Sequence, residues 1–458
     1  MSERRGSVPD GDPAMMKKVL VVAYYFPPMG MGGVQRVLKF VKYFPQFGWE
    51  PVVLTVKDVL YHTDDPGLLS EIEGIPIHRS GSFDPLRLAG MWRRKPENGG
   101  TKIHFREARR RNVFMMANRL LSAIMVPDSK ILWVPHACAA GLRIASDIVP
   151  DCVFTTSPPI SGHLVGMAIA HRFRIPWIAD FRDLWTGDSQ GSDVTPLHAL
   201  INRWTARLVT RKADGIVSVS KSIAMDLAGL NSEKSVKSVV IPNGYDPEDF
   251  TNVIPRSTGK LVFTYGGTFN RDIHPGIFLS ALSMAFEKNS ELKSCVRVRF
   301  SGRDLEGSVE RHVRQHCLEP WIESIGYQTH GEWIRTMMDS DVLLLFLPKH
   351  APDGMVTGKI YEYLASGKPI VALVPNGQAS RIILHHGRGV VVDPDDRESL
   401  AGEILRIHEL WKRGDLVLDT APLAPLNGLS RIEQTGTLVH FFESLCRKWR
   451  EKPCKDIL

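Results

Sequence analysis

Unbroken apolar runs alternate with helix-spaced stretches along nearly the whole chain. Residues 19–25 form one such run, Val34, Val37, Leu38, Val41 and Phe44 follow at helical spacing, and 52–56 is apolar again. A run without polar alternation suits a strand buried on both faces of a parallel sheet, whereas three-and-four spacing suits an amphipathic helix. The pattern predicts further strands at 152–155, 176–179, 215–220 and 239–241, a helix over 162–173 and another beginning near Ser222. Residues 247–259, with Pro247, Pro255, Ser257 and Gly259 among polar neighbours, read as a linker. A second alternation then predicts strands at 261–265, 296–300, 322–327, 342–347 and 370–374. Such alternation specifies two α/β domains in series, 17–246 and 260–427, each around a parallel sheet. Residues 1–16 read as a disordered lead-in, and 428–458 as a terminal helix outside the second alternation.

The chain has 458 residues, more than one ordinary core accommodates. Its 43% hydrophobic and 23% charged content is that of a soluble globular protein. The longest apolar runs fall far short of the ~20 residues that cross a bilayer. The first residues lack the apolar centre of a signal peptide, and Met15 or Met16 is an alternative start. The six cysteines (138, 152, 295, 317, 446, 454) are scattered, with no CxxC pair and no zinc-like Cys/His spacing. Reduced thiols, no metal and a cytoplasmic setting are therefore expected. A net charge of +7 points to an anionic partner. One stretch, 87–125, joins Arg93, Arg94, Arg106 and Arg109 to Phe114, Met115, Leu120 and Leu121. It reads either as a surface for anionic lipid at the inner face of the membrane or as a solvated loop leading into a core helix. No nucleic-acid-binding module appears, so nucleic acid is not an expected partner.

The densest candidate chemistry lies in 353–369, between two predicted strands. A helix opening at the carboxyl end of a sheet strand presents free backbone N–H groups and a positive dipole end, both suited to phosphate. Lys359 adds a cation there, and Glu362 shares its helix face. Together they suit a phosphate and a sugar hydroxyl of one nucleotide; a capped amphipathic helix with a surface ion pair is the alternative. The glycine loop at 30–35 fails the dinucleotide pattern, because Gln35 stands where G-x-G-x-x-G needs glycine. Asp180, Arg182 and Asp183 follow a buried strand, where such sheets place their chemistry. Asp183 could take a proton from an acceptor hydroxyl, or brace the loop through Arg182, Arg203 or Arg207. His163, at a helix opening, suits a neutral hydrogen-bonding role through a depressed pKa, or a purely structural one.

Four stretches together resemble a GT-B fold glycosyltransferase of the family 4 type, in the group that builds bacterial polysaccharides. They are Phe26-Pro27-Pro28 with Gly32 to Arg36, the segment 156–185, the turn 239–246 and the segment 359–369. The resemblance runs from about Lys17 to about Arg450. It implies two Rossmann-like domains facing a cleft, with the final helix crossing back onto the first domain. It implies transfer of a sugar, with retention and without metal or cofactor, from a nucleotide diphosphate sugar to a hydroxyl of a glycan or lipid-linked acceptor. By resemblance, Gly32, Gly33, Gly267, Thr357, Gly358, Lys359 and Glu362 would bind the donor, Glu362 through the ribose. Asp180 and Arg182 would face the acceptor. Asp183, His163, Lys359 and Arg271 are the catalytic candidates, the two cations through the departing diphosphate. The chain departs from the family at Gly354, where a sugar-facing glutamate usually stands eight positions before Glu362, with Asp353 the adjacent stand-in. It departs again at Gly267, in place of a usual arginine, with Arg271 the nearest cation. A sugar-nucleotide epimerase of the same fold, or a non-catalytic binding relative, are the alternatives.

Overall fold

The computed structural model describes residues 16–57, 63–83, 125–183, 196–230, 236–251, 253–416 and 426–451. Two parallel sheets organise it. The first contains β1 (Lys17–Val22), β2 (Trp49–Val56), β3 (Ile77–Ser80), β4 (Cys152–Ser157), β5 (Trp177–Phe181), β6 (Gly215–Ser218) and β7 (Lys237–Val240), in the order β3-β2-β1-β4-β5-β6-β7. The second contains β8 (Leu261–Gly266), β9 (Val296–Ser301), β10 (Ile322–Gly326), β11 (Val342–Phe346), β12 (Ile370–Leu373) and β13 (Gly389–Val392), in the order β10-β9-β8-β11-β12-β13. Both are doubly wound orders that reverse direction beside their first strand, and ligands of such sheets bind at that reversal. The expected fold class is therefore the observed one.

The central strands are buried throughout, as their unalternating sequence requires: β4 and β11 have no exposed residue. Two strands were not legible. β3 is a half-exposed edge of four residues, and β13 sits at the opposite edge of the other sheet. β3 alternates too weakly to stand out, and the three valines of β13 form too short a run to be told from a loop.

The final helix, Arg431–Arg450, begins at a capping box between Ser430 and Glu433. Its Leu438, Phe441, Phe442 and Leu445 enter the core of the first sheet. Phe442 lies 5.6 Å from the Phe44 ring, 5.4 Å from Trp49 and 5.6 Å from Phe154. Burying each such side chain contributes about 1.5–3 kcal/mol, so the last helix is part of the first domain's core despite its place in sequence. The chain thus crosses between the halves twice, near 242–250 and before 431.

The halves meet through few but specific contacts. Tyr327 Oη donates to the Gly30 carbonyl at 3.0 Å, and the His330 amide donates to Asp65 at 2.8 Å. The His330 ring lies 2.9 Å from Asp249. Burial works against charging that ring, but the Asp249 hydrogen bond and the Glu362 charge prevail and hold its pKa above the ordinary histidine value. No helix among the described residues is long and apolar enough to cross a membrane. Except for Met125, which is buried, the proposed lipid surface at 87–125 lies outside the described residues.

Candidate functional site

The helix Lys359–Ser366 is positioned by Ile360, Tyr363 and Leu364, which are buried against β11 and β12, and by Gly367, which ends it in a left-handed turn at φ 71°. Its N-terminus is bare. Gly358 precedes it without any side-chain cap. The Ile360 and Tyr361 amides turn back to Thr357 and Gly358, and among the described residues the Gly358 and Lys359 amides find no acceptor. A helix of this kind leaves its first N–H groups and positive dipole end for a ligand.

Lys359 reaches across this end to the first strand of the second sheet. Its Nζ lies 4.7 Å above the Tyr265 ring and donates to Tyr265 Oη at 3.3 Å. Lys359 forms no ion pair among the described residues, and Glu362 only offsets part of its burial. Burial lowers the Lys359 pKa to about 8. Gly267 explains how the lysine fits. It adopts φ 152°, and a Cβ there would fall onto Lys359 Nζ. Lys359 thus occupies the space that a side chain at 267 would need. Glu362 Oε2 accepts from Trp333 Nε1 at 3.4 Å, leaving its carboxylate on the same helix face. Thr357 and Gly358 are half-buried at the helix start, whereas Arg271 is exposed on the loop beyond Gly267.

Gly354 faces the other half of the molecule. A Cβ there would come within 2.8 Å of Ser222 Cβ, so this turn passes close to the helix Lys221–Gly229. Asp353, the expected stand-in, instead pairs with exposed Arg381 at 2.8 Å.

On the opposite wall the charges are engaged. Asp180 is fully buried: Arg36 Nη2 donates to its Oδ1 at 2.9 Å, Arg36 Nε to its Oδ2 at 3.1 Å, and Thr156 Oγ1 to its Oδ2 at 2.8 Å. Its reading as an acceptor contact is corrected accordingly, since both oxygens are committed inside the domain. Arg182 is likewise a brace. Its guanidinium donates to the carbonyls of Ser157 at 2.6 Å, Pro158 at 3.1 Å and Gly33. This ties the start of helix Gly32–Tyr43 to the end of β4. Gly32 and Gly33 are exposed there, and Asp183 is exposed just past β5.

His163 does not reach a cleft. It is fully buried, with Nδ1 2.7 Å from Thr155 Oγ1 and its ring 4.6 Å from Phe181. Its pKa falls to about 3, and the cause is burial rather than the helix end. The catalytic reading is corrected to that of a neutral core histidine.

The polar groups that sequence missed join helix Gly32–Tyr43 to Glu71 and the turn at 246–249. Lys39 contacts Glu71 at 2.7 Å, Asp246 at 2.8 Å and Asp249 at 2.9 Å, while Lys42 contacts Asp246 at 2.8 Å. Glu71, Asp246 and Asp249 are the one trio among the described residues whose oxygens converge closely enough for a cation. The two ammonium groups already occupy that position. Burial alone would raise the Asp246 pKa, but the lysines and Tyr43 hold it near 2. Lys39 and Lys42 stand on the same helix but outside the apolar set Val34, Val37, Leu38, Val41 and Phe44, so they read as solvent-facing and nothing local marked their carboxylate partners.

Comparison with known proteins adds the family. Residues 31–244 match the model of a glycosyl transferase 4-like domain, and 248–415 that of glycosyl transferases group 1. An uncharacterized glycosyltransferase of Methanocaldococcus jannaschii is 22% identical over 276 residues, which cover 57% of this chain and 67% of the relative. The Anabaena HepE structure in complex with UDP and glucose matches with a TM-score of 0.60 at 15% identity, covering 93% of this chain and 100% of that one. The UDP-GlcNAc 2-epimerase of Neisseria meningitidis bound to UDP-GlcNAc matches with a TM-score of 0.51 at 14% identity, covering 93% and 100%. At such identities the structural likeness speaks for the fold alone.

Proposed function

The chain belongs to the glycosyltransferases that join a glycosyl transferase 4-like domain to a group 1 domain, and from this premise we propose that it moves a sugar from a nucleoside diphosphate sugar to a hydroxyl of a glycan or lipid-linked acceptor. The observation that carries the reading is the bare N-terminus of Lys359–Ser366, with Lys359 half-buried beside it and lacking a carboxylate partner among the described residues. A desolvated, unpaired ammonium is costly in an empty site, and an arriving diphosphate removes that cost. The helix amides and Lys359 then stabilise the charge that develops on the departing diphosphate, without needing a metal for that task. Glu362, one turn along the same face, would accept hydrogen bonds from the ribose. The Anabaena and Neisseria structures contain UDP or a UDP-sugar, which supports uridine as the first base to test.

The donor sugar would enter beyond Gly354, which carries no carboxylate of its own. Asp183, exposed just past β5, is the proposed acceptor of the proton from the acceptor hydroxyl, and transfer with retention is the proposed stereochemistry. The acceptor is proposed as part of cell-surface polysaccharide synthesis at the inner membrane face.

Isothermal titration with UDP and GDP tests the donor site. Binding of at least one at micromolar to millimolar concentration is expected; binding of neither removes the basis of the reading. Product analysis with a bound sugar nucleotide then separates the alternatives. Transfer or slow donor hydrolysis supports the transferase, an epimerised sugar supports the epimerase, and an unchanged bound donor supports a binding relative.

A further inference from the structure

Arg431 opens the C-terminal helix and is 4% exposed. A guanidinium this deeply buried normally meets a carboxylate, because desolvating an unpaired charge is expensive. Arg431 does not: its side chain makes one hydrogen bond, from Nη1 to Gln434 Oε1 at 3.1 Å, and no ion pair among the described residues. Its neighbour Arg36 is already committed to Asp180. Burial first, then the Arg36 charge, lower the Arg431 pKa to about 9, while Glu362, Tyr361 and Asp180 pull the other way.

The surrounding contacts say where this cation lies. The Arg431 amide donates to the Tyr245 carbonyl at 2.8 Å, and the Tyr245 amide to the Leu429 carbonyl at 3.1 Å. Gln434 Nε2 donates to the Asn243 carbonyl at 3.2 Å. The Asn243 side-chain amide in turn comes within 3.9 Å of where a Cβ at Gly358 would stand. The start of the C-terminal helix, the turn at 242–246 and the bare end of Lys359–Ser366 therefore converge. Tyr361 on that last helix is itself buried and feels the charges of both Arg431 and Arg36.

We propose that Arg431 is a second cation of the phosphate site, taking a phosphoryl oxygen at the bare end of Lys359–Ser366 on the flank opposite Lys359. This rests on the sugar-nucleotide reading and extends it. Arg431 stands on a helix rooted in the first domain, whereas Lys359 stands in the second. A phosphate gripped by both ties the two halves together, so that ligand binding and cleft closure become one event. The phosphate belongs either to the nucleoside diphosphate or to a diphosphate on a lipid-linked acceptor; the recognition chemistry is the same.

The test is calorimetric titration of wild type, Arg431→Gln and Arg431→Lys with UDP, uridine and a short prenyl diphosphate, with ligand-free melting temperatures measured alongside. Loss of a charged hydrogen bond weakens UDP binding roughly tenfold or more, leaves uridine unchanged, and is partly restored by lysine. The ligand-free melting temperature of Arg431→Gln does not fall below that of wild type, because an unpaired buried charge has been removed. Weakened prenyl diphosphate binding with unchanged UDP assigns the subsite to the acceptor. Unchanged binding of both overturns the proposal, as does equal loss for uridine with a lowered ligand-free melting temperature, which marks a structural arginine. If wild type binds neither diphosphate, the proposed function fails and takes this inference with it. If wild type binds and Arg431→Gln matches it, only the role of Arg431 fails.

Discussion

On the first-domain wall of the cleft the buried charges, Arg431 apart, are matched, while on the second-domain wall half-buried Lys359 is not. Asp180 has Arg36 and Thr156, and Asp246 has Lys39, Lys42 and Tyr43. Among the described residues Lys359 has only a tyrosine, and the Gly358 and Lys359 amides have no acceptor. Matched buried charges hold a fold in register, and removing one partner exposes the cost of the other. An unmatched buried charge destabilises the empty protein and is retained where a ligand completes it. The two walls therefore give opposite forecasts for superficially similar substitutions.

The largest expected effect is on the matched side. Asp180→Ala leaves Arg36 buried without a carboxylate, holding only the Pro242 carbonyl, and lowers stability by about 3–5 kcal/mol in denaturant unfolding. A loss well under 1 kcal/mol would mean that the pair is not a structural element. Next comes Lys359→Met, which is expected to weaken UDP binding about 10- to 100-fold while leaving the ligand-free melting temperature unchanged or higher.

Lys359 also sets a pH dependence. Its folded pKa, about 8, lies below that of an unfolded lysine. Folding therefore carries a cost below pH 8 that is relieved as pH rises towards the unfolded value. Nucleotide affinity runs the other way: it is full below pH 8 and falls as the ammonium loses its proton above it. Affinity that is flat from pH 7 to pH 9.5 in wild type would separate Lys359 from the ligand.

A smaller effect is expected at Glu362. Glu362→Ala weakens UDP about tenfold and abolishes the preference for UDP over its 2′-deoxy counterpart; a retained preference would place the ribose elsewhere. The smallest belongs to Asp353→Asn. Its surface pair with Arg381 is worth little, so stability and donor binding stay at wild-type values. A selective drop in turnover would instead make Asp353 the missing sugar contact near Gly354.

The same contrast explains what the sequence could reveal. Buried strands such as β11 and glycine-ended helices such as Lys359–Ser366 announce themselves through unbroken apolar runs and local turn chemistry. The two-domain order followed from that pattern, and the segment around Lys359 stood out because its cation, glycines and carboxylate are close in sequence. Pairings over long separations did not. Asp180 looked like a site residue because it ends a strand, and only the structure supplies Arg36 as its partner from 144 positions away. His163 sits at a helix opening in sequence but beneath Phe181 in space. Arg431 was hidden for the same reason, since nothing local tells that the start of the last helix meets the turn at 242–246.

The most direct measurement of the central claim is a paired one on Lys359→Met: ligand-free thermal unfolding and UDP titration on the same preparation. The account predicts a melting temperature at or above that of wild type together with a large loss of UDP affinity. A lowered melting temperature with unchanged UDP affinity would show that Lys359 belongs with the matched charges of the fold, and would contradict the donor site built around it.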